Sequence, residues 1–261
     1  GAEIPIEVYS DDEATFVAAT VTGISPTTVK PGTEIKITGT DLDLIGPVVF
    51  KGEDAIAEIT DPILNEDLTE LTVIVPLKAQ DGLATVVAKS GLEYPSETEL
   101  TMVIPTNLEA TPNTGLKSGD VITITGIDLD LAIYATFPNV EDSIKFISHT
   151  VTEIKMIVPS PVPVKDEKGK DTNEMTEGPR SGDILLNMAN GKTASIAYKM
   201  LQPTVTNYNP SPVTAGGTLT ITGTNMDLVV SVTFAGEKTS PILTGASNQV
   251  TVKVPVDAES G

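Results

Sequence analysis

The sequence predicts an all-β chain made of tandem β-sandwich domains, and three observations carry that expectation. One stretch occurs three times. Ile35-Lys36-Ile37-Thr38-Gly39-Thr40-Asp41-Leu42-Asp43-Leu44 returns as Ile122-Thr123-Ile124-Thr125-Gly126-Ile127-Asp128-Leu129-Asp130-Leu131 and again as Leu219-Thr220-Ile221-Thr222-Gly223-Thr224-Asn225-Met226-Asp227-Leu228. Each copy places a Phe 11 residues after its Gly, at Phe50, Phe137 and Phe234. Within each copy apolar and polar residues alternate, which turns one face of a strand to a core and the other to water. The spacing between glycines, 87 and then 97 residues, is too long for a solenoid and suits an independent small domain.

Taken in order, residues 1–20 hold two short apolar runs, Ile4–Tyr9 and Ala14–Val17, around the acidic turn Ser10-Asp11-Asp12-Glu13. They read either as a leader strand or tether, or as the closing hairpin of a preceding repeat, since the second repeat closes on a similar pattern around Asn190-Gly191. The full repeats open at Pro26, Pro112 and Pro210, residues that mark a strand's entry or edge because Pro donates nothing to a ladder. A turn glycine follows (Gly32, Gly119, Gly216), then the alternating strand. Ile35 with Ile37, Ile122 with Ile124, and Leu219 with Ile221 point inward. The glycine after each strand (39, 126, 223) is expected to adopt positive φ or to mark a bulge. Leu42, Leu129 and Met226 are expected to be buried, and the three repeat Phe residues to be core.

Each repeat then has a strand stopped by Pro76, Pro159 or Pro255. About seven short strands with regular turns form an immunoglobulin-like sandwich pattern. From that Pro to the equivalent Gly is 6 residues in the first repeat (Gly82) and the third (Gly261) and 23 in the second (Gly182), so 17 residues are inserted there. The insertion, about residues 164–180, is expected to be a disordered loop. The expected division is 1–20 as a hairpin or tether, 21–104, 105–202 and 203–261. The last copy is read as truncated, with an exposed sheet edge.

Composition narrows the function classes. The formal charge is -20 with only 16 basic residues, and nucleic-acid binding draws most of its affinity from Lys and Arg. The same charge repels anionic membranes and favours a soluble monomer. There is no Cys, hence no disulfide, thiolate or Cys-ligated zinc. No run approaches the ~20 apolar residues that span a bilayer as a helix.

The frame Pro…Gly-Thr…Ile-x-Ile-x-Gly-Thr-Asp/Asn-Leu…Val-x-Phe…Val-x-Val-Pro…Gly resembles the IPT/TIG domain, an immunoglobulin-like module, in two complete copies and one truncated copy. It departs where the family often has Gly and this chain has Asp43, Asp130 and Asp227. Tandem copies with Pro105 and Pro203 at the junctions are similar to surface glycan-binding lipoproteins of Bacteroidetes polysaccharide-utilisation systems. That resemblance implies an outward-facing outer-membrane protein. Its lipid anchor would lie upstream of this chain, and its partners would be polysaccharide or an outer-membrane transporter. It implies no enzyme activity and no cofactor. An adhesin-like protein-interaction module is the alternative, and an accessory region of an enzyme is a third.

Among individual residues, Asp41 with Asp43 and Asp128 with Asp130 offer oxygens to Ca²⁺, which wants six to eight. The same residue types serve a post-strand turn, and Asn225 in the third copy favours that reading. His149 is the single His, which excludes Ser-His-Asp and His-rich metal arrangements. Sugar binding usually uses exposed aromatic faces, and there is no Trp. Tyr134, opposite in parity to Phe137, is the candidate ligand contact. Tyr94 and Tyr208 are expected to pack between domains.

Overall fold

A computed structural model describes residues 17–52, 54–57 and 63–259. The expected N-terminal hairpin lies almost wholly outside them. The chain divides into two compact units. The first runs to Asn107 and takes in Gly126–Ile133 and Leu186–Ala194; the second holds Leu108–Thr125, Tyr134–Leu185 and the residues from Ser195 onward. The middle repeat is therefore shared between the units.

In the first unit, one antiparallel sheet orders the strands Thr20–Ser25, Glu34–Thr40, Glu70–Ile74 and Ile63–Leu64. A second orders Ile56–Ala57, Ile45–Val49, Thr85–Ala88 and Glu93–Pro95. The inward alternation holds: Ile35 pairs with Val73 and Ile37 with Leu71, all four buried. They share a core with Val48, Phe50 and Val86 from the other sheet, and with Leu42. Two sheets closed over one apolar layer are what period-2 strands with a wet outer face require. Tyr94 packs on this core, so it is a core-edge residue of the first repeat rather than a domain spacer.

The middle repeat orders Thr106–Thr111, Val121–Ile127, Glu153–Ile157 and Ser148–His149 in one sheet, and Ala132–Thr136, Gly182–Met188 and Thr193–Tyr198 in another. Its insertion is not a disordered loop. Pro163–Lys165 and Asp171–Met175 pair antiparallel. Asp166 Oδ1 closes the turn by accepting from the amides of Lys168 and Lys170, both at 2.9 Å. The mixed Lys, Asp and Glu composition was legible as polarity; the Asx turn that organises it was not.

The third repeat, in the second unit, is one five-stranded sheet in the order Thr204–Asn209, Thr218–Thr224, Gln249–Lys253, Lys238–Ala246 and Ser231–Phe234. Its core is thinner. Leu219 and Ile221 retain 8% exposure where Ile35, Ile37, Ile122 and Ile124 have 0%. Phe50 and Phe137 are buried, but Phe234 is only half-buried against its core. Tyr208, expected to pack between domains, is 56% exposed on the edge strand.

Of the two roles expected of the repeated glycine, Gly39 and Gly223 take the second and mark a bulge. Gly39 and Gly223 are not at positive φ. They face the partner strand so closely that a Cβ would lie 1.9 Å from the carbonyl oxygen of Thr20 or Thr204. The facing strands bulge at those points, between Val21 and Gly23 and between Val205 and Asn207. Positive φ falls two residues later, on Asp41 (52°), Asp128 (58°) and Asn225 (55°). Asp and Asn tolerate that region better than other side chains. A single 3-10 turn follows, and its first residue, Leu42, Leu129 or Met226, is buried.

Candidate functional site

The acidic turns end up in different surroundings. Asp41 and Asp43 sit on the first repeat, and neither carboxylate pairs with a cation among the described residues; the backbone carbonyl of Asp43 accepts from Lys89 Nζ at 2.7 Å. Asp128 and Asp130 converge on one ammonium: Lys30 Nζ donates to an Oδ1 of each at 2.8 Å. Partial burial of Lys30 works against its charge, but the bonds to Asp128 and Asp130 outweigh it and hold the pKa above the ordinary lysine value. A pair of carboxylates sharing a lysine is already neutralised in part. Among the described residues no group of three or more His, Asp or Glu is placed to hold a metal ion.

Sequence reasoning missed a second contact in the same unit. Asn190, at the tip of the hairpin that closes the middle repeat, is buried and donates from Nδ2 to the carbonyl of Ala79 at 3.1 Å. Its own carbonyl accepts from Gln80 Nε2 at 3.3 Å. Lys192 Nζ reaches Asp81 Oδ2 at 2.7 Å and the carbonyl of Met102 at 2.9 Å, while Asp81 Oδ1 accepts from the Met102 amide at 2.6 Å. Burial of Asp81 opposes its charge; the Lys192 ammonium and the Met102 amide prevail and hold its pKa below the ordinary carboxylate value. The Asn-Gly dipeptide signalled a turn, but nothing in it signalled the distant carbonyl.

In the second unit, a groove of about 690 Å³ is lined by Lys117, Ser118, Arg180, Ser181, Gln202 and Asp227, among others. Both charge signs, two hydroxyls and one side-chain amide line it, together with apolar side chains that include Leu116 and Met200. Tyr198 supports one wall. It is buried, meets Phe137 edge-on with ring centroids 5.3 Å apart, and donates its hydroxyl to the carbonyl of Arg180 at 2.5 Å. Tyr134 is half-buried on the strand Ala132–Thr136. His149 is exposed at a strand end, with its ring centroid 5.0 Å from that of Phe146.

Residues 203–261, the stretch built on Thr218–Thr224 and the Asn225 turn, match the IPT/TIG domain. The first two copies share the strand, glycine, turn and Phe spacing of the third. A comparison with curated proteins finds no match.

Several solved structures are similar to the chain at low identity. The full extracellular region of Plexin A4 is 17% identical with a TM-score of 0.31, covering 93% of this chain and 21% of its own. The surface glycan-binding protein PbSGBP-B from Prevotella bryantii is 16% identical with a TM-score of 0.31, covering 89% of this chain and 52% of its own. SGBP-B from a complex xyloglucan utilization locus in Bacteroides uniformis is 14% identical with a TM-score of 0.27, covering 87% and 65%. The chain thus spans between a fifth and two thirds of the length of these proteins. They assign it no ligand. Among the described residues no helix is long and apolar enough to cross a membrane.

Proposed function

We propose that this chain is a non-enzymatic spacer within a cell-surface protein that captures polysaccharide, its sandwich domains falling at 21–104, 105–202 and 203–261. The observation that carries the reading is how repeat is fastened to repeat. Within the first unit a buried amide, Asn190, and two lysines in partly desolvated ion pairs tie the hairpin tip and acidic turn of the middle repeat to the first repeat. Buried polar groups with their partners in place resist bending, because opening the contact strands them. A protein that must hold a binding domain clear of a membrane needs that property. The IPT/TIG sequence frame and the tandem arrangement support an exported lipoprotein of the outer membrane, anchored upstream and working beside a transporter.

A direct glycan contact, if the spacer makes one, belongs to Tyr134 or to the polar groove beside Lys117 and Gln202. Neutral sugars are recognised by such mixed hydroxyl, amide and charged groups over apolar floors. Affinity electrophoresis through gels containing soluble polysaccharides tests the reading. Retardation of the chain that Tyr134→Ala or Gln202→Ala reduces would establish a secondary glycan surface. Full-length protein retarded beside an unretarded chain would establish a pure spacer. Absence of any shift from the full-length protein would sink the polysaccharide reading.

One observation favours the second reading, a protein-interaction module. The edge strand Thr204–Asn209 is exposed along its whole length, with Val205 and Tyr208 outward. An open edge of this kind accepts an added strand from a partner. Under that reading, pull-down recovers a protein partner, and placing Pro at position 206 abolishes recovery.

A further inference from the structure

The acidic turn has a use beyond the fold of its own repeat. Aligned on the turn glycines Gly32, Gly119 and Gly216, one position is occupied by Lys30, Lys117 and Thr214. Aligned on the repeated motif, Asp43, Asp130 and Asp227 are equivalent. The first lysine reaches the second repeat's turn, with Nζ 2.8 Å from Asp128 and 2.8 Å from Asp130. The second lysine reaches the third repeat's turn, with Nζ 3.5 Å from Asp227. Asn225, standing where Asp128 stands, carries no charge and donates to the carbonyl of Gln202 at 3.1 Å instead. Donor position, acceptor position and direction along the chain are the same in both cases.

We propose that the repeat encodes a directional latch, in which a lysine two residues ahead of one repeat's turn glycine seats on the acidic turn of the repeat that follows. The surface is the acidic turn, Asp128-Leu129-Asp130 in the second repeat and Asn225-Met226-Asp227 in the third, and its partner is the ammonium of the preceding IPT/TIG-like repeat. The turn thus has two separable duties. Its first Asp or Asn supplies the left-handed backbone in all three copies. Among the described residues, the carboxylates receive a lysine in the second and third copies and not in the first. Thr214 offers no ammonium, so the third repeat has nothing of this kind to pass on.

The two latches differ in kind. The first shares one ammonium between two carboxylates, with side-chain exposure of 23% for Lys30, 24% for Asp128 and 44% for Asp130. The second joins one carboxylate at the longer distance, with 42% and 43% exposure. Exposed charges are screened by salt far more than partly buried ones. The second latch is therefore the salt-sensitive one.

Zero-length carbodiimide coupling of the whole chain, mapped by peptide mass spectrometry, tests this. The expected amide links are Lys30 to Asp128 or Asp130, and Lys117 to Asp227. Raising salt from about 0.05 to about 0.5 M should cut the second link several-fold and the first far less. Lys117→Glu should abolish the second link, and Lys117→Glu with Asp227→Lys should restore it with the charges exchanged. Proteolytic cleavage within residues 201–204 should quicken in the single variant and slow again in the swap. Lys117→Gln serves as the neutral variant should charge reversal disturb folding, with circular dichroism as the check. A folded chain in which neither link forms, or in which the swap restores neither link nor protection, overturns the latch. Glycan retardation plays no part in this readout, so failure of the latch is distinguishable from failure of the polysaccharide reading.

Discussion

Asn190 Nδ2 donates to the carbonyl oxygen of Ala79 at 3.1 Å, a contact that spans 111 positions of sequence. The same side chain holds its own hairpin, since its Oδ1 accepts from the Lys192 amide at 3.1 Å. One buried amide therefore joins a local turn to a distant loop.

Asn190→Ala strands the Ala79 carbonyl and opens the turn, and it should cost about 1–3 kcal/mol in denaturant unfolding. Asn190→Asp keeps the acceptor for Lys192 but replaces the donor with an oxygen facing an oxygen. A cost as large as that of the alanine variant is expected, which separates the long-range bond from the turn.

Gly223→Ala would place a Cβ 1.9 Å from the Thr204 carbonyl, a backbone atom that cannot swing aside. Overpacking of this kind costs about 1–3 kcal/mol or more. Gly91 meets nothing within 4 Å and is held only by its φ of +87°. Gly91→Ala should cost about 1 kcal/mol. Thermal melts of the two variants should rank accordingly; equal shifts would mean that close approach does not govern Gly223.

Burial pushes the Tyr198 hydroxyl up to about 12. The group is neutral when folded and ionises near the ordinary tyrosine value, about 10, when unfolded. Its contribution to stability is therefore fully present below about pH 10 and lost as pH rises towards 12. A spectrophotometric titration should show one late tyrosine, absent in Tyr198→Phe.

Asp81 works at the other end of the scale, because its carboxyl is held below the ordinary value. Its stabilising effect is complete above the usual carboxylate range and disappears as pH falls through the folded value. Asp81→Asn should flatten the acid limb of the stability curve while leaving neutral-pH folding intact. An unchanged acid limb would remove Asp81 from the account.

Excising residues 163–175 joins positions that already face each other, since the amide of Val162 bonds the Thr176 hydroxyl and the Thr176 amide bonds the Val162 carbonyl. The melting temperature should stay within about 3 °C of the parent, as expected when a surface insertion is removed without touching the core.

The architecture was legible because its causes are local. Period-2 alternation at Ile35, Ile37, Ile122 and Ile124 and the glycine-to-Phe spacing are written in adjacent residues, and the structure buries those positions as the pattern requires. The glycine's role was legible only in part. A bend was clear, but close backbone approach depends on where the facing strand bulges. What lay beyond reading was every contact that closes over distance. Lys30 sits in an ordinary turn and Asn190 in an ordinary Asn-Gly hairpin, and neither position names its partner. Comparing the copies does offer a signal, since a lysine kept two residues ahead of the turn glycine in two repeats and absent from the third is visible in the sequence alone.

The unequal surroundings of Asp43 and Asp130 bear on how the copies can drift apart. Both positions hold the same place in the repeated motif, yet Asp130 answers to Lys30 while the carboxylate of Asp43 answers to no described cation. In a library selected for folding, position 43 should accept a broad range of side chains and position 130 a narrow one. Copies born identical would then age at different rates, each repeat's sequence recording its place in the line.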